Sequence, residues 1–457
     1  MKTVIQLGEP LPFVSSSEWG GKGKNLLELG EFFNVPSGIV LNVDAYHAFV
    51  QESNLADRIK EVTDVLKGQE AEEKVKELFL QGKHPDNLAQ EILQSVSSAG
   101  LSFPLAVRSS GVDEDGCRNS FAGQHETILG VANENEIEEA IRLCYASLYS
   151  ARAIEYRKSR GLAEPSGIAL VVQTMINPDV AGVAYSASPT DLGYVLIEAT
   201  YGLGTSVVDG KGVDSFRASS GRDRDIVSKI NKHKKEKRVW SNWYKQIVTK
   251  AVKKRLWDQP CLNEKQINEI ADLAIEVEKF FSVNYPNARK PQDIEWAYSG
   301  SSLYLLQSRP ITGMDIHTPD FELPDLSKII GDSYNVGKKG EYEGPVVIIE
   351  SVDSQGTHFQ VKGGENIREL NEKFKDGYVL VTPETNPTLD SYLTNCKAIV
   401  TTECGIMSHA GATAREKDII FIGCVESSDN RNLIDILDNG EEVVVAGNKS
   451  KGIIGYR

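Results

Sequence analysis

The residues with the plainest chemical potential lie in the run Thr401-Thr402-Glu403-Cys404-Gly405-Ile406-Met407-Ser408-His409-Ala410-Gly411-Ala412-Thr413-Ala414-Arg415-Glu416. The pattern reads as a strand end, a turn, and a helix of small residues opened by His409. The first N–H groups of a helix have no partner within it and the helix dipole adds partial positive charge, so such a start attracts phosphate. Neutral imidazole is a good nucleophile near pH 7 because its pKa lies close by. Small neighbours leave room for a bulky substrate around the ring. Taken alone, a histidine so placed is more often a capping or packed residue than a catalyst, so its weight depends on its company.

That company is charged. In Gln292-Asp293-Ile294-Glu295-Trp296-Ala297, strand alternation puts Asp293 and Glu295 on one face. With the amide oxygen of Gln307 they form a hard-oxygen set suited to Mg2+ bridging nucleotide phosphates. Arg309, two residues on, can neutralise charge on a transferring phosphoryl group. The alternative is an exposed acidic strand edge. Arg108 ends the apolar run Leu105-Ala106-Val107, where an arginine needs a carboxylate or a phosphate. Glu114 or Asp115 would serve as a salt-bridge partner. The small residues Ser120-Phe121-Ala122-Gly123 could fold over phosphates through backbone N–H groups, or form a surface turn. Gly20-Gly21-Lys22-Gly23-Lys24 combines close backbone approach with the Lys22 charge before a helix. It lacks the spacing and Ser/Thr of a Walker motif, and a plain turn before a helix fits equally.

These groups need elements to hold them. Apolar spacing near 3.6 predicts helices over 23–33, 45–52, 56–66, 136–160 and 264–281, and further on over 367–375 and 409–417. Strands are expected at 105–108, 167–175, 182–186, 194–198, 293–297 and 303–306, then at 346–351, 377–381, 398–401, 420–424 and 442–446. The order is mixed α+β. A Pro- and turn-rich stretch from Pro310 to Pro324 separates the two sets. The basic residues between Arg217 and Arg255, including Lys232, Lys234, Lys235, Lys237 and Arg238, read as a solvated helical face or loop, with a phosphate-steering lid as the other reading.

Composition narrows the classes. With 457 residues, two to three domains are expected. The net charge of −15 argues against broad nucleic-acid binding. No apolar run is long enough for a membrane span, and the first residues lack the apolar core of a secretory signal. The six cysteines are scattered without zinc-finger spacing, so a reducing cytoplasm is expected.

Taken in order, these stretches resemble the pyruvate phosphate dikinase and phosphoenolpyruvate synthase family, whose two modules rifampicin phosphotransferases share. The likeness continues through Ala169-Leu170-Val171-Val172-Gln173-Thr174-Met175, Ala181-Gly182-Val183, Glu198-Ala199 and Gly202-Leu203-Gly204, and covers nearly the whole chain. It implies an ATP-grasp nucleotide-binding domain over 1–314, a linker over 315–334, and a small α/β swivelling phosphohistidine domain over 335–457. It implies that Lys22 and Arg108 hold ATP phosphates, and that Gly123 and its neighbours form a phosphate loop. Gln173 and Met175 would line the adenine pocket, partly through backbone. Asp293, Glu295 and Gln307 would bind Mg2+, with Arg309 on the transferring phosphate. His409 would attack the β-phosphate of ATP and carry the phosphate onward. The chain departs from the family at Cys404, Met407 and Ile420, where paired glycine, threonine and proline are usual. No acceptor domain is recognisable in it. The acceptor is therefore expected to be a small molecule or one held by a partner subunit. An ATP-dependent ligase of specialised metabolism is the alternative the resemblance leaves open.

Overall fold

The computed structural model describes residues 2–10, 14–112, 115–116, 119–120, 127–151, 153–154, 157, 165–208, 213–221, 224–283, 289–352, 359–383, 393–402, 405–429 and 431–457. The chain is α+β and forms two compact units. The first comprises Met1–Asn177, Val239–Val248 and Ala297–Arg309, the second Pro178–Arg238, Thr249–Trp296 and Pro310–Arg457.

The first unit is built on a five-stranded sheet in the order Val4–Gln6, Gly38–Leu41, Ile168–Thr174, Leu105–Gly111, Thr127–Val131, every pair antiparallel. Alternation decides its packing. Ile39, Leu41, Leu170 and Val172 face one layer of helices, while Val40 and Val171 face the helix Ser16–Leu29. Both faces are covered, so the strands read as continuous apolar runs. A first helical turn begins at Ser16, where the Ser15 side chain accepts from Ser17 N–H, and Gly20 then breaks the run with φ +62°, so the continuous helix follows it, close to the expected start. The helix expected over 136–160 runs from Glu134 to Ala146 and yields to a 3-10 turn at Ser147–Tyr149.

His84 is buried in this unit at 2 % exposure, against the rings of Phe49 and Tyr145. Neither ring nitrogen has a hydrogen-bond partner among the described residues. Burial, with the Arg142 charge behind it, lowers its pKa from 6.5 to about 4. The fold therefore holds the neutral ring while the unfolded chain takes up a proton, and stability falls as pH drops from 6.5 toward 4. The loss amounts to about 3 kcal/mol over that window. His84→Leu should flatten this acid dependence in urea melts relative to the parent protein. An unchanged difference between pH 6.5 and 4 would refute the assignment.

In the second unit, the strands Ile226–Ile230, Asp214–Ser219, Tyr194–Tyr201 and Val180–Tyr185 lie in that order and continue into Gln292–Ser299. A ten-stranded sheet forms from the C-terminal residues. At its centre Gly340–Val352, Tyr378–Thr382, Cys396–Thr401 and Ile420–Gly423 run parallel, each with its neighbour. Val346, Ile348, Val379, Val381, Val400 and Ile422 face one core; Val347, Ile349, Leu380, Ile399 and Phe421 face the other. That second core also takes in Val183, Tyr185 and Leu196, with Ile406, Met407, Ala410 and Ala414. This shared apolar cluster explains why the compact units do not divide at 315–334: residues 178–238 pack with the C-terminal sheet.

Two sequence readings change here. Residues 328–333 belong to the expected linker but form a strand, Lys328–Ser333, which pairs with Gly452–Tyr456 and Glu426–Ser427. Its hydrogen-bond partners come from the far end of the chain, where no local pattern signals them. The basic stretch is in part the expected loop, over 231–235, where Lys235 is exposed, and elsewhere mainly strand rather than helix. It forms the strands Ile226–Ile230, Glu236–Ser241 and Gln246–Ala251, and Lys234 is buried on Asp214.

Candidate functional site

His409 is the first residue of the helix His409–Glu416. Its side chain lies outside the described set, as does Gly123. The helix starts there because Ser408 is extended and its hydroxyl accepts from Gly411 N–H, while donating to Gly405 O at 2.7 Å. The small residues have steric reasons. A Cβ on Gly411 would stand 2.0 Å from Ile406 O, and one on Gly405 would stand 1.9 Å from a carboxylate oxygen of Glu198.

Glu198, on the strand Tyr194–Tyr201, was not assigned a role from sequence. It is 1 % exposed and accepts from Met407 N–H at 3.4 Å. Burial raises its carboxyl from 4.5 to about 7; the Met407 amide and Arg415 oppose the shift and Asp293 adds to it. Protons are thus held by the folded state and not the unfolded one between pH 4.5 and 7, so this group favours acid stability where His84 opposes it. Arg415, also buried, donates to Ile406 O at 3.0 Å, Thr312 O at 3.3 Å and the Tyr185 hydroxyl at 2.9 Å. Lys232 donates to Thr402 O at 2.9 Å. The family likeness takes in Glu198-Ala199 but gave Glu198 no role, because the residues it meets lie some two hundred positions onward.

Asp293 and Glu295 share the face of Gln292–Ser299 expected from alternation, Asp293 buried and Glu295 half-buried. As hard oxygen donors they fit Mg2+, which keeps waters and substrate oxygens in its shell and needs few protein ligands. Among the described residues no three His, Cys, Asp or Glu side chains gather as a metal cluster.

The first unit brings another group together. Arg108 donates to Gln307 Oε1 at 3.4 Å, so that amide oxygen has a cationic neighbour as well as its proposed metal role. Lys22 donates to Ser109 O at 3.2 Å, Gly23 N–H to the Ser110 hydroxyl, and Asn25 to Ser308 O. The glycine-rich segment is therefore seated on the strands that carry Arg108 and Gln307. Gly20 has φ +62° and a Cβ there would lie 2.1 Å from Ser110 O, so close backbone packing requires that glycine. Arg309 is half-buried on the strand Ser302–Pro310, on the same face as Gln307 by alternation. Gln173 is buried with its amide donating to Pro36 O at 3.1 Å, and Met175 packs with Ala106 and Trp240. The side-chain amide N–H of Gln173 is thus engaged within the fold.

The description "Pyruvate phosphate dikinase, AMP/ATP-binding domain" matches residues 16–320, and "PEP-utilising enzyme, mobile domain" matches 374–450. The chain belongs to the pyruvate phosphate dikinase and phosphoenolpyruvate synthase family. A probable phosphoenolpyruvate synthase of Methanocaldococcus jannaschii is 30% identical over 94% of this chain and 35% of its own length. The phosphoenolpyruvate synthase of Aquifex aeolicus is 30% identical over 98% of this chain and 53% of its own length. That of Synechocystis is 29% identical over 96% and 56%. The chain thus spans between about a third and just over half of the length of these curated relatives. The first match places Lys22, Arg108, Glu198, Asp293, Gln307 and Arg309 in the family's nucleotide-binding domain, and the second places His409 in its mobile domain. No helix among the described residues is long and apolar enough to cross a membrane.

Proposed function

We propose that the chain is an ATP-dependent phosphotransferase of dikinase type. An imidazole nitrogen of His409 attacks the β-phosphorus of ATP, the bond from that phosphorus to the α–β bridging oxygen breaks, and AMP leaves. The γ-phosphoryl group then passes to water or to phosphate, and the remaining phosphoryl group goes from His409 to an acceptor. The acceptor is a small molecule or is held by a separate subunit. The observation that carries this reading is the joint presence of an AMP/ATP-binding domain and a mobile domain with His409 opening a capped helix.

Lys22 and Arg108 hold phosphate oxygens, and Arg309 offsets charge on the group in transfer. Gln173 and Met175 border the adenine, and Gly123 with its neighbours covers the phosphates. Asp293, Glu295 and Gln307 are the proposed ligands of Mg2+, which when bound neutralises phosphate charge. Incubation with Mg2+ and β-labelled ATP should yield AMP and an acid-labile label on the protein, mapping to His409 by mass spectrometry. Glu295→Ala should lower that label by at least about tenfold, as expected for a lost metal ligand. ADP as the sole nucleotide product, with an unlabelled protein, would overturn the reading.

A further inference from the structure

The loop that precedes His409 is held at two points within one compact unit. Its amide at Met407 points into the Glu198 carboxylate, and its carbonyl at Ile406 receives the Arg415 guanidinium. Gly405 touches Glu198 so closely that no side chain fits between them. We propose that Glu198 is a positioning residue: a carboxylate of the nucleotide-binding module that seats the 405–408 loop and so fixes where the phosphate-accepting histidine stands during its reaction with ATP. The role rests on the phosphotransferase reading above, but the seating itself does not.

The physical case rests on cost and alternatives. A carboxylate at 1 % exposure is expensive to bury, and mere packing would be served better by an apolar side chain. What the carboxylate supplies is a directed acceptor for a loop amide. Arg415 closes the arrangement, since it reaches Ile406 of the loop, Thr312 ahead of the mobile module and Tyr185 of the nucleotide-binding module. The two modules therefore share polar contacts at this turn, immediately before the residue that must meet the β-phosphorus. Reaction geometry is steep in distance, and a displacement of about 1 Å can cost roughly 100-fold in rate.

Three variants test this, each read by two measurements. Glu198→Ala should slow His409 labelling from β-labelled ATP by roughly 100-fold while leaving the KM for ATP within about twofold. Glu198→Gln keeps an acceptor oxygen for the Met407 amide and should recover most of the rate. Gly405→Ala should also slow labelling, and adding Glu198→Ala to it should restore part of the loss by making room for the new methyl group. Hydrogen exchange of the 405–417 segment, measured without nucleotide, supplies the second readout: Glu198→Ala should speed it and Glu198→Gln should not. Unchanged exchange in Glu198→Ala, or a labelling rate equal to the parent's, overturns the seating role. So does a loss in Glu198→Gln as deep as in Glu198→Ala. If the parent protein itself takes no label but exchange responds as described, the phosphotransferase reading fails and the seating of the loop stands.

Discussion

Replacing His409 by alanine is expected to bring ATP-derived labelling of the protein to background, a loss of at least about 1,000-fold. The substitution is structurally mild. Alanine is the better helix former, and the cap that starts the helix is made by Ser408 with Gly411, not by the imidazole. The neighbouring hydroxyl is a poor substitute nucleophile: Ser408 is buried, and it donates to Gly405 O while accepting from Gly411 N–H. Release of AMP should stop together with labelling, because in the proposed sequence the bond to AMP breaks only when the imidazole attacks. ATP affinity should stay within about twofold, since Lys22 and Arg108 are anchored in the other compact unit. Steady AMP formation by the variant, followed by chromatography, would place the nucleophile elsewhere.

Asp214→Ala is expected to be the most damaging structural substitution, costing about 3–5 kcal/mol. Asp214 is 0 % exposed and Lys234, its partner at 2.5 Å, is 1 % exposed. The same carboxylate accepts from Lys232 N–H at 3.0 Å and Cys261 N–H at 2.8 Å. Removing it strands a buried ammonium and takes the acceptor from two backbone donors, and each stranded donor costs about 1–3 kcal/mol. Lys234→Met should cost less, because the remaining carboxylate keeps both amides. Adding Lys234→Met to Asp214→Ala should recover part of the loss, since the uncompensated charge goes with it. Urea denaturation of the three variants measures this. An Asp214→Ala midpoint close to the parent's would show that the pair is not structurally dominant.

How far the chain can be read without coordinates depends on the range of the interaction. The central strands of the C-terminal sheet were legible because their apolar runs are short, bounded by turns and β-branched, and the observed limits Tyr378–Thr382, Cys396–Thr401 and Ile420–Gly423 fall within two residues of expectation. The helix opened by His409 was legible for the same local reason, with Ser408 before it and Lys417 after. The helices Gly68–Gln81 and Asp86–Ser98 were missed, although their apolar faces carry Val75, Phe79, Ile92 and Val96. Around those residues the segments are rich in charge and polar side chains, which masked the stripe. Among the basic residues Lys234 misled, because charge counts alone cannot reveal a buried counter-ion: it finds Asp214 twenty positions back.

By itself, the order of residues determined the α+β character, the family, the position of His409 at a helix start, and the shared face of Asp293 and Glu295. Each of these follows from periodicity or from short motifs, in which the interacting groups are within a few residues of one another. Only the tertiary structure decided that Glu198 meets the 405–408 loop, that Arg415 ties that loop to Tyr185, and that Lys328–Ser333 is a strand rather than a tether. Those contacts join groups from tens to more than two hundred positions apart. Their energy comes from burial and directed hydrogen bonds that exist only once the chain has closed.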